Sequence, residues 1–324
     1  MPHFVPLASA LLLASLVLAA CQSGYGAPSE VSDDRPRVVA STALIGEFAS
    51  IVAGEDAQVE TLIPPGVDLH SFEPAPASAA AVARADIVFV NGYNLEEGLL
   101  DIVMQNARAD APVVAVAAGL PPIEGASADA AAAIRAEGDP HFWLNVAHAE
   151  HYVAQIEQHL AQLDPEHADA YKARAGAYIR QLRVLDAEVR TAIAAIPEGS
   201  RQLIVFHDAY RYLAAAYGLD LTASVLPVGA QQDPSAAALA DLIELIEERD
   251  VRAIYREPQF GASVLESIAG ETGVTVLVLR STFSDGVDSY VELMRANVAA
   301  LVEGLSRAST AGDSPRTLLR ELAA

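Results

Sequence analysis

From residue 37 onward, short apolar runs rich in β-branched side chains alternate with stretches whose apolar residues recur every three to four positions. That alternation predicts parallel-sheet α/β units. A first series places strands at 38–41, 59–63, 87–91 and 113–117, with helices at 45–53, 77–85 and 96–108 between them. A second series places strands at 202–206, 253–256 and 274–279, and helices at 209–217, 236–249, 263–272 and 289–305. Between the two, residues 146–196 read as nearly continuous helix, interrupted at Asp164-Pro165, where Asp can cap and Pro can take the first helical position. The part after Pro165 is about 30 residues, or about 45 Å at the α-helical rise. The expected architecture is two parallel-sheet α/β lobes joined by one long rigid helix, with small closure motions. The expected boundaries are an N-terminal lobe at 37–145, a linking helix at 146–198, a C-terminal lobe at 199–307 and a tail of unassigned role at 308–324.

The N-terminus adds a compartment. Residues 7–20 are an apolar run of signal-peptide length ending in small residues, too short to stay in a bilayer as a spanning helix. Leu18-Ala19-Ala20-Cys21 follows, and it resembles the lipobox of bacterial lipoproteins, in which the cysteine is lipidated and becomes the mature N-terminus. The expectation is a signal peptide at 1–20, lipidation at Cys21 and a flexible tether at 21–36, rich in Gly, Ser, Pro and Asp. A basic n-region is missing, since Met1 to Pro6 contains His3 but no Lys or Arg. Cys21 is the only cysteine, which excludes an internal disulfide and a thiolate cluster.

Charge changes the picture in one direction. The chain has 43 Asp and Glu against 20 Lys and Arg, a formal charge of -23, with no basic cluster to offset it. Nucleic acid is therefore not an expected partner. The acidity favours solubility and attracts cations, but solvation alone accounts for most of these carboxylates.

Candidate chemistry falls in four loop segments: 64–74 with His70, 138–145 with His141, 205–210 with His207, and 281–286 with Asp285. Ligands of open α/β sheets bind beyond the carboxyl ends of strands, where His70, His207 and Asp285 are expected. Taken singly, each histidine is more readily a capping or structural residue than a metal ligand. Asp285 has its own alternatives, because Asp288 lies close by and Ser284-Asp285-Gly286 makes a good turn. His148 and His151, three apart on a helix, form a weaker candidate pair.

Taken together, in this order and at these distances, the segments resemble the zinc- and manganese-binding solute-binding proteins of ABC importers, the ZnuA/TroA-like or cluster 9 family. The likeness runs from Val38 to about Leu305 and includes Glu257-Pro258-Gln259-Phe260 and the stretch from Tyr290 to Asn297. It implies that His70, His141, His207 and Asp285 ligate a metal in the cleft, two from each lobe. It also implies a monomeric lipoprotein that hands its metal to an ABC permease. Three imidazoles and one carboxylate suit Zn²⁺, and more imidazole with less carboxylate shifts preference away from Mn²⁺. Manganese members of the family commonly carry glutamate where His207 stands. Zn²⁺ is thus the expected transported ligand and Mn²⁺ the alternative. Residues 122–140 lack the His-rich loop of many zinc members.

The chemistry leaves rivals. A carrier of haem, a corrinoid or a siderophore needs a wide aromatic or Arg-lined cleft, and the aromatic fraction is 6%. A zinc hydrolase would keep three histidines and an open position for water, with Asp285 off the metal. Four protein ligands instead give a capture site and no enzyme. An adhesin role is compatible with the anchor. Glu73, Asp139, Asp208 and Glu257 are the carboxylates placed to orient the imidazoles, with Trp143 and Phe72 as walls.

Overall fold

The computed structural model describes residues 34–124, 128, 129, 131–227, 234–249 and 251–306. The leader, Cys21, most of the tether and the tail lie outside the described residues. The first lobe is built on β1 (Arg37–Thr42), β2 (Gln58–Ile63), β3 (Ile87–Val90) and β4 (Val113–Ala115), all parallel in the order β2-β1-β3-β4. Its helices are α1 (Ala43–Ala53), α2 (Pro76–Arg84) and α3 (Glu97–Asn106). β3 is buried at all four residues, as a strand covered on both faces must be. Thr42 starts α1 by accepting the Ile45 amide on its hydroxyl, a cap whose loss costs about 1 kcal/mol.

The second lobe repeats this order. Strands β5 (Gln202–His207), β6 (Asp220–Leu226), β7 (Ala253–Arg256) and β8 (Thr275–Val278) pair in parallel as β6-β5-β7-β8. One strand, β6, was not predicted. It lies at the sheet edge, largely half-buried, so its polar residues are tolerated where a central strand would be apolar.

The intervening segment departs from expectation in one respect. The break falls at Asp164-Pro165 as expected, but the chain also turns back there: α4 (Val146–Leu163) ends at Asp164, a 3₁₀ turn covers Pro165–His167, and α5 (Ala168–Ala194) runs back along α4. An Arg183–Glu150 ion pair at 2.9 Å records the antiparallel register. Pro165 lacks the amide that would continue the helix, so the chain reverses there. The long helix α5, 27 residues, still bridges the lobes. Near its start Arg174 donates to the Val52 and Ala53 carbonyls at the end of α1 and pairs with Asp56 at 2.7 Å. Further along, Asp186 accepts the Tyr217 hydroxyl at 2.9 Å and Arg190 donates to the Ala216 carbonyl at 2.8 Å. Tyr217 closes α6 (Arg211–Tyr217) of the second lobe.

The remaining helices are α7 (Ala236–Glu248), α8 (Ser263–Thr272) and α9 (Tyr290–Leu305). α7 and α8 cover one face of the second sheet around Ile204, Leu242, Ile246 and Ile268. α9 packs on β7, β8 and α5, and comes so close at Gly304 that a Cβ would stand 2.3 Å from the Tyr255 hydroxyl and 2.7 Å from Ala253. No helix among the described residues is long and apolar enough to cross a membrane.

Candidate metal centre

Two loops and the carboxyl end of one strand supply the imidazoles. His70 follows β2, and Asp68 shapes its loop by accepting the His70 amide at 3.2 Å and the Ser71 hydroxyl at 2.5 Å. His141 precedes a 3₁₀ turn at Phe142–Leu144 that leads through the Asn145 cap into α4. His207 is the last residue of β5. The rings form a near-equilateral triangle, with centroid separations of 5.2 Å (70–141), 5.4 Å (70–207) and 5.1 Å (141–207). One nitrogen from each lies within 4.8 Å of the others, and the Nε2 atoms of His70 and His141 are 3.2 Å apart. Ligands on a tetrahedral Zn²⁺ stand ~3.3 Å from one another, from bonds of about 2.05 Å.

Two imidazoles are aimed by carboxylates. Asp139 Oδ1 accepts His141 Nδ1 at 2.8 Å, and Glu257 Oε2 accepts His207 Nδ1 at 2.9 Å; all four side chains are buried. Holding the proton on Nδ1 leaves the Nε2 lone pair free for a metal. His207 Nε2 is a buried nitrogen with no hydrogen-bond partner, a cost a protein rarely tolerates without function. Of the four carboxylates expected to orient imidazoles, Asp139 and Glu257 do so. Asp208 instead meets Arg211, its Oδ2 standing 2.6 Å from Nη2, and Glu73 is exposed. Trp143 packs 5.3 Å from His141, centroid to centroid, and donates Nε1–H to the Ser281 carbonyl at 2.8 Å; Phe72 is half-buried. Sequence reasoning missed the Phe260 ring, 5.5 Å from His207, and the Arg211–Glu124 ion pair at 2.6 Å that ties the loop before His141 to α6.

The electrostatics separate the histidines. Burial, and then the neighbouring imidazoles, push His70 down to about 3. His141 falls to about 3 for the same two reasons. For His207 burial also works against the charge, but the Glu257 carboxylate outweighs it and the net shift is upward. Burial raises Asp139 to about 6. Two of the imidazoles, His70 and His141, are thus neutral at physiological pH, and His207 is the one on which a proton is favoured.

The structure does not bring Asp285 into this group. Asp285 is exposed at the tip of a two-residue turn between Ser284 and Val287, closed by a 3.0 Å Val287–Ser284 amide-to-carbonyl bond. Its φ of 52° and the 77° of Gly286 give the sign pattern of a type I′ turn, which Asp-Gly favours. The turn is tied to the His70 loop, because the Gly66 amide donates to the Phe283 carbonyl at 2.7 Å. His148 and His151 each engage a backbone carbonyl, of Phe142 and Ala118.

The sequence family described as ZnuA, zinc-uptake complex component A, periplasmic, matches residues 38–304. The chain belongs to this family. Proteins similar to it include the manganese-binding lipoprotein MntA of Halalkalibacterium halodurans, 28% identical over 305 residues, 92% of this chain and 97% of the relative. The iron ABC transporter substrate-binding lipoprotein MtsA of Streptococcus pyogenes serotype M1 is 26% identical over 91% of this chain and 96% of its own length. The solved periplasmic zinc-binding protein TroA of Treponema pallidum superposes with a TM-score of 0.76 at 26% identity, covering 84% of this chain and all of TroA. The two parallel-sheet lobes are those of the TroA fold, and the family is that of extracytoplasmic metal-binding components of ABC importers. The metal named differs among the relatives: manganese, iron and zinc.

Proposed function

We propose that this protein captures Zn²⁺ between its lobes with His70, His141 and His207 and hands it to the permease of an ABC importer, without catalysing a reaction. The observation that carries the reading is the convergence of three imidazole nitrogens within 4.8 Å, two of them steered by buried carboxylates. A donor set dominated by neutral imidazole suits Zn²⁺ better than Mn²⁺. Asp285 is proposed as the fourth ligand, supplied when its turn moves with the His70 loop to which Phe283 is bonded. Cys21 is proposed as the lipid attachment point, and the boundaries expected near residues 145 and 198 as the limits of the lobes.

The second reading is Mn²⁺ capture at the same centre, favoured by relatives named for manganese. Calorimetry of apo protein with each metal distinguishes them. One tight Zn²⁺ per chain with Mn²⁺ at least a hundredfold weaker supports the first reading. The reverse order supports the second, and no tight site for either metal refutes both.

A further inference from the structure

Behind His141 lies a buried polar group that the ligand set does not use. Ser41, at the end of β1, Asn91, just after β3, and Glu96, just before α3, are each no more than 1% exposed. Glu96 Oε1 accepts the Asn91 amide at 2.8 Å and also the Ser41 hydroxyl, while Glu96 Oε2 has no partner. The Asn91 side chain is spent in three directions. Its Oδ1 accepts the Tyr152 hydroxyl of α4 at 2.6 Å, and its Nδ2 donates to the Gly92 and Pro140 carbonyls at 3.0 Å each.

The Pro140 carbonyl belongs to the peptide plane whose N–H is that of His141. That N–H is held on its other side by Asp139 Oδ1 at 2.9 Å. A peptide unit has one donor and one acceptor, and here side chains hold both, so the plane cannot rotate. The His141 ring is then fixed by Asp139 at Nδ1.

The backbone between Asn91 and Glu96 is strained in a way that serves this arrangement. Gly92, Tyr93 and Asn94 have φ of 91°, 53° and 56°, and a bulky residue at positive φ persists only where its surroundings enforce it. Here they do: the Tyr93 amide donates to the Ala133 carbonyl at 2.7 Å, and a Cβ on Gly92 would stand 2.8 Å from that same oxygen. The Tyr93 ring packs on Phe142, next to His141, at 4.8 Å between centroids. This turn folds Glu96 back beneath Asn91.

We propose that Asn91 and Glu96 are positioning residues for metal capture, acting through the Pro140–His141 peptide to hold the His141 imidazole at the centre. The proposal rests on the metal reading above. Burial raises the Glu96 carboxyl above its ordinary range, which agrees with a role as an acceptor through Oε1 that needs no charge.

The test is Zn²⁺ affinity by chelator competition, in native and His141→Ala backgrounds, alongside melting of the apo proteins. Asn91→Ala and Glu96→Ala are each expected to lose at least tenfold, the scale of groups that orient a ligand. Glu96→Gln keeps the acceptor and is expected to stay within threefold of wild type. In the His141→Ala background Asn91→Ala should change affinity by less than threefold, since the ring it positions is gone. Tyr152→Phe removes one hydroxyl and keeps the packed ring. It gives a second route if Asn91→Ala fails to fold, with a threefold to tenfold loss expected only when His141 is present. A folded Asn91→Ala or Tyr152→Phe with wild-type affinity overturns this inference alone, as does an equal loss in both backgrounds. A wild-type protein that binds neither Zn²⁺ nor Mn²⁺ overturns the metal reading and this inference together.

Discussion

Replacing Glu257 by glutamine removes one charge from beneath His207 while keeping the shape and the acceptor oxygen. Both side chains are buried, and the Oε2–Nδ1 separation is 2.9 Å. The other oxygen faces Gln259 Nε2 at 3.3 Å, and Gln259 Oε1 has no partner, so rotation of the Gln259 amide accommodates the new NH₂ group. The structural cost is therefore small, and the loss falls on the metal. Groups that orient and polarise a ligating imidazole are worth tenfold to a hundredfold in affinity, about 1.4 to 2.7 kcal/mol. The loss should depend on pH. Glu257 raises the His207 pKa above 6.5, so in the wild type a proton competes with the metal below that raised value. His70 and His141, both near 3, release none until strong acid, and Asp139 adds a second proton below about pH 6. Wild-type affinity should fall about tenfold per pH unit below the His207 pKa and more steeply below pH 6. This is gentler than the collapse expected if three ordinary imidazoles titrated together near 6.5. In Glu257→Gln the proton competes less, so the penalty should be largest at pH 8 and shrink toward pH 6. Chelator competition across this range gives the affinities, and calorimetry in buffers of different ionisation enthalpy counts protons. Equal affinities of the two proteins at pH 8, or three protons released by wild type at pH 6.5, would refute the reasoning.

Asp285→Asn retains a residue that tolerates positive φ, so the apo melting temperature should hold while Zn²⁺ affinity drops, though less than in His207→Ala; unchanged affinity would remove Asp285 from the ligand set. His70→Ala should lose orders of magnitude in affinity yet melt like wild-type apo protein, since the sheets and helices rather than the metal hold the fold. Glu47 accepts the Tyr290 amide at 2.8 Å, and burial raises it to about 7 against 4.5 unfolded. Its ionisation therefore costs no stability below pH 4.5, and the cost grows to at most about 3 kcal/mol above pH 7. Urea melts of Glu47→Gln should match wild type at pH 4 and show greater stability at pH 8; a deficit at pH 8 contradicts this sign. Cys21→Ser should move the protein from the membrane to the soluble fraction on fractionation.

What could be read from the chain followed from how local each signal is. The buried run of β3 and the nearly continuous buried run of β5 are written in adjacent residues, and both lie where the pattern places them. The three histidines were legible because each sits in its own short motif, although their convergence was carried by family resemblance rather than by periodicity. β6 escaped because an edge strand needs no continuous apolar run. The reversal at Pro165 escaped because the helical pattern is the same on both sides of it. Asp285 carried two meanings, turn former and ligand, and the structure displays the first. The Asn91–Pro140 hydrogen bond joins residues 49 positions apart, and nothing in the residues around either end announces the other.

The fastening of α5 at both ends has a mechanical consequence. With Arg174 bound to the first lobe and Arg190 and Asp186 to the second, the helix is a strut whose attachments would have to break together for the lobes to swing wide. Such fastening favours sliding of packed helices, shear over hinge. A cargo held by such a frame is not shed through spontaneous gaping. Unloading from such a frame would call for work applied from outside, and a helix fastened at both ends offers a path by which a push on one lobe reaches the other.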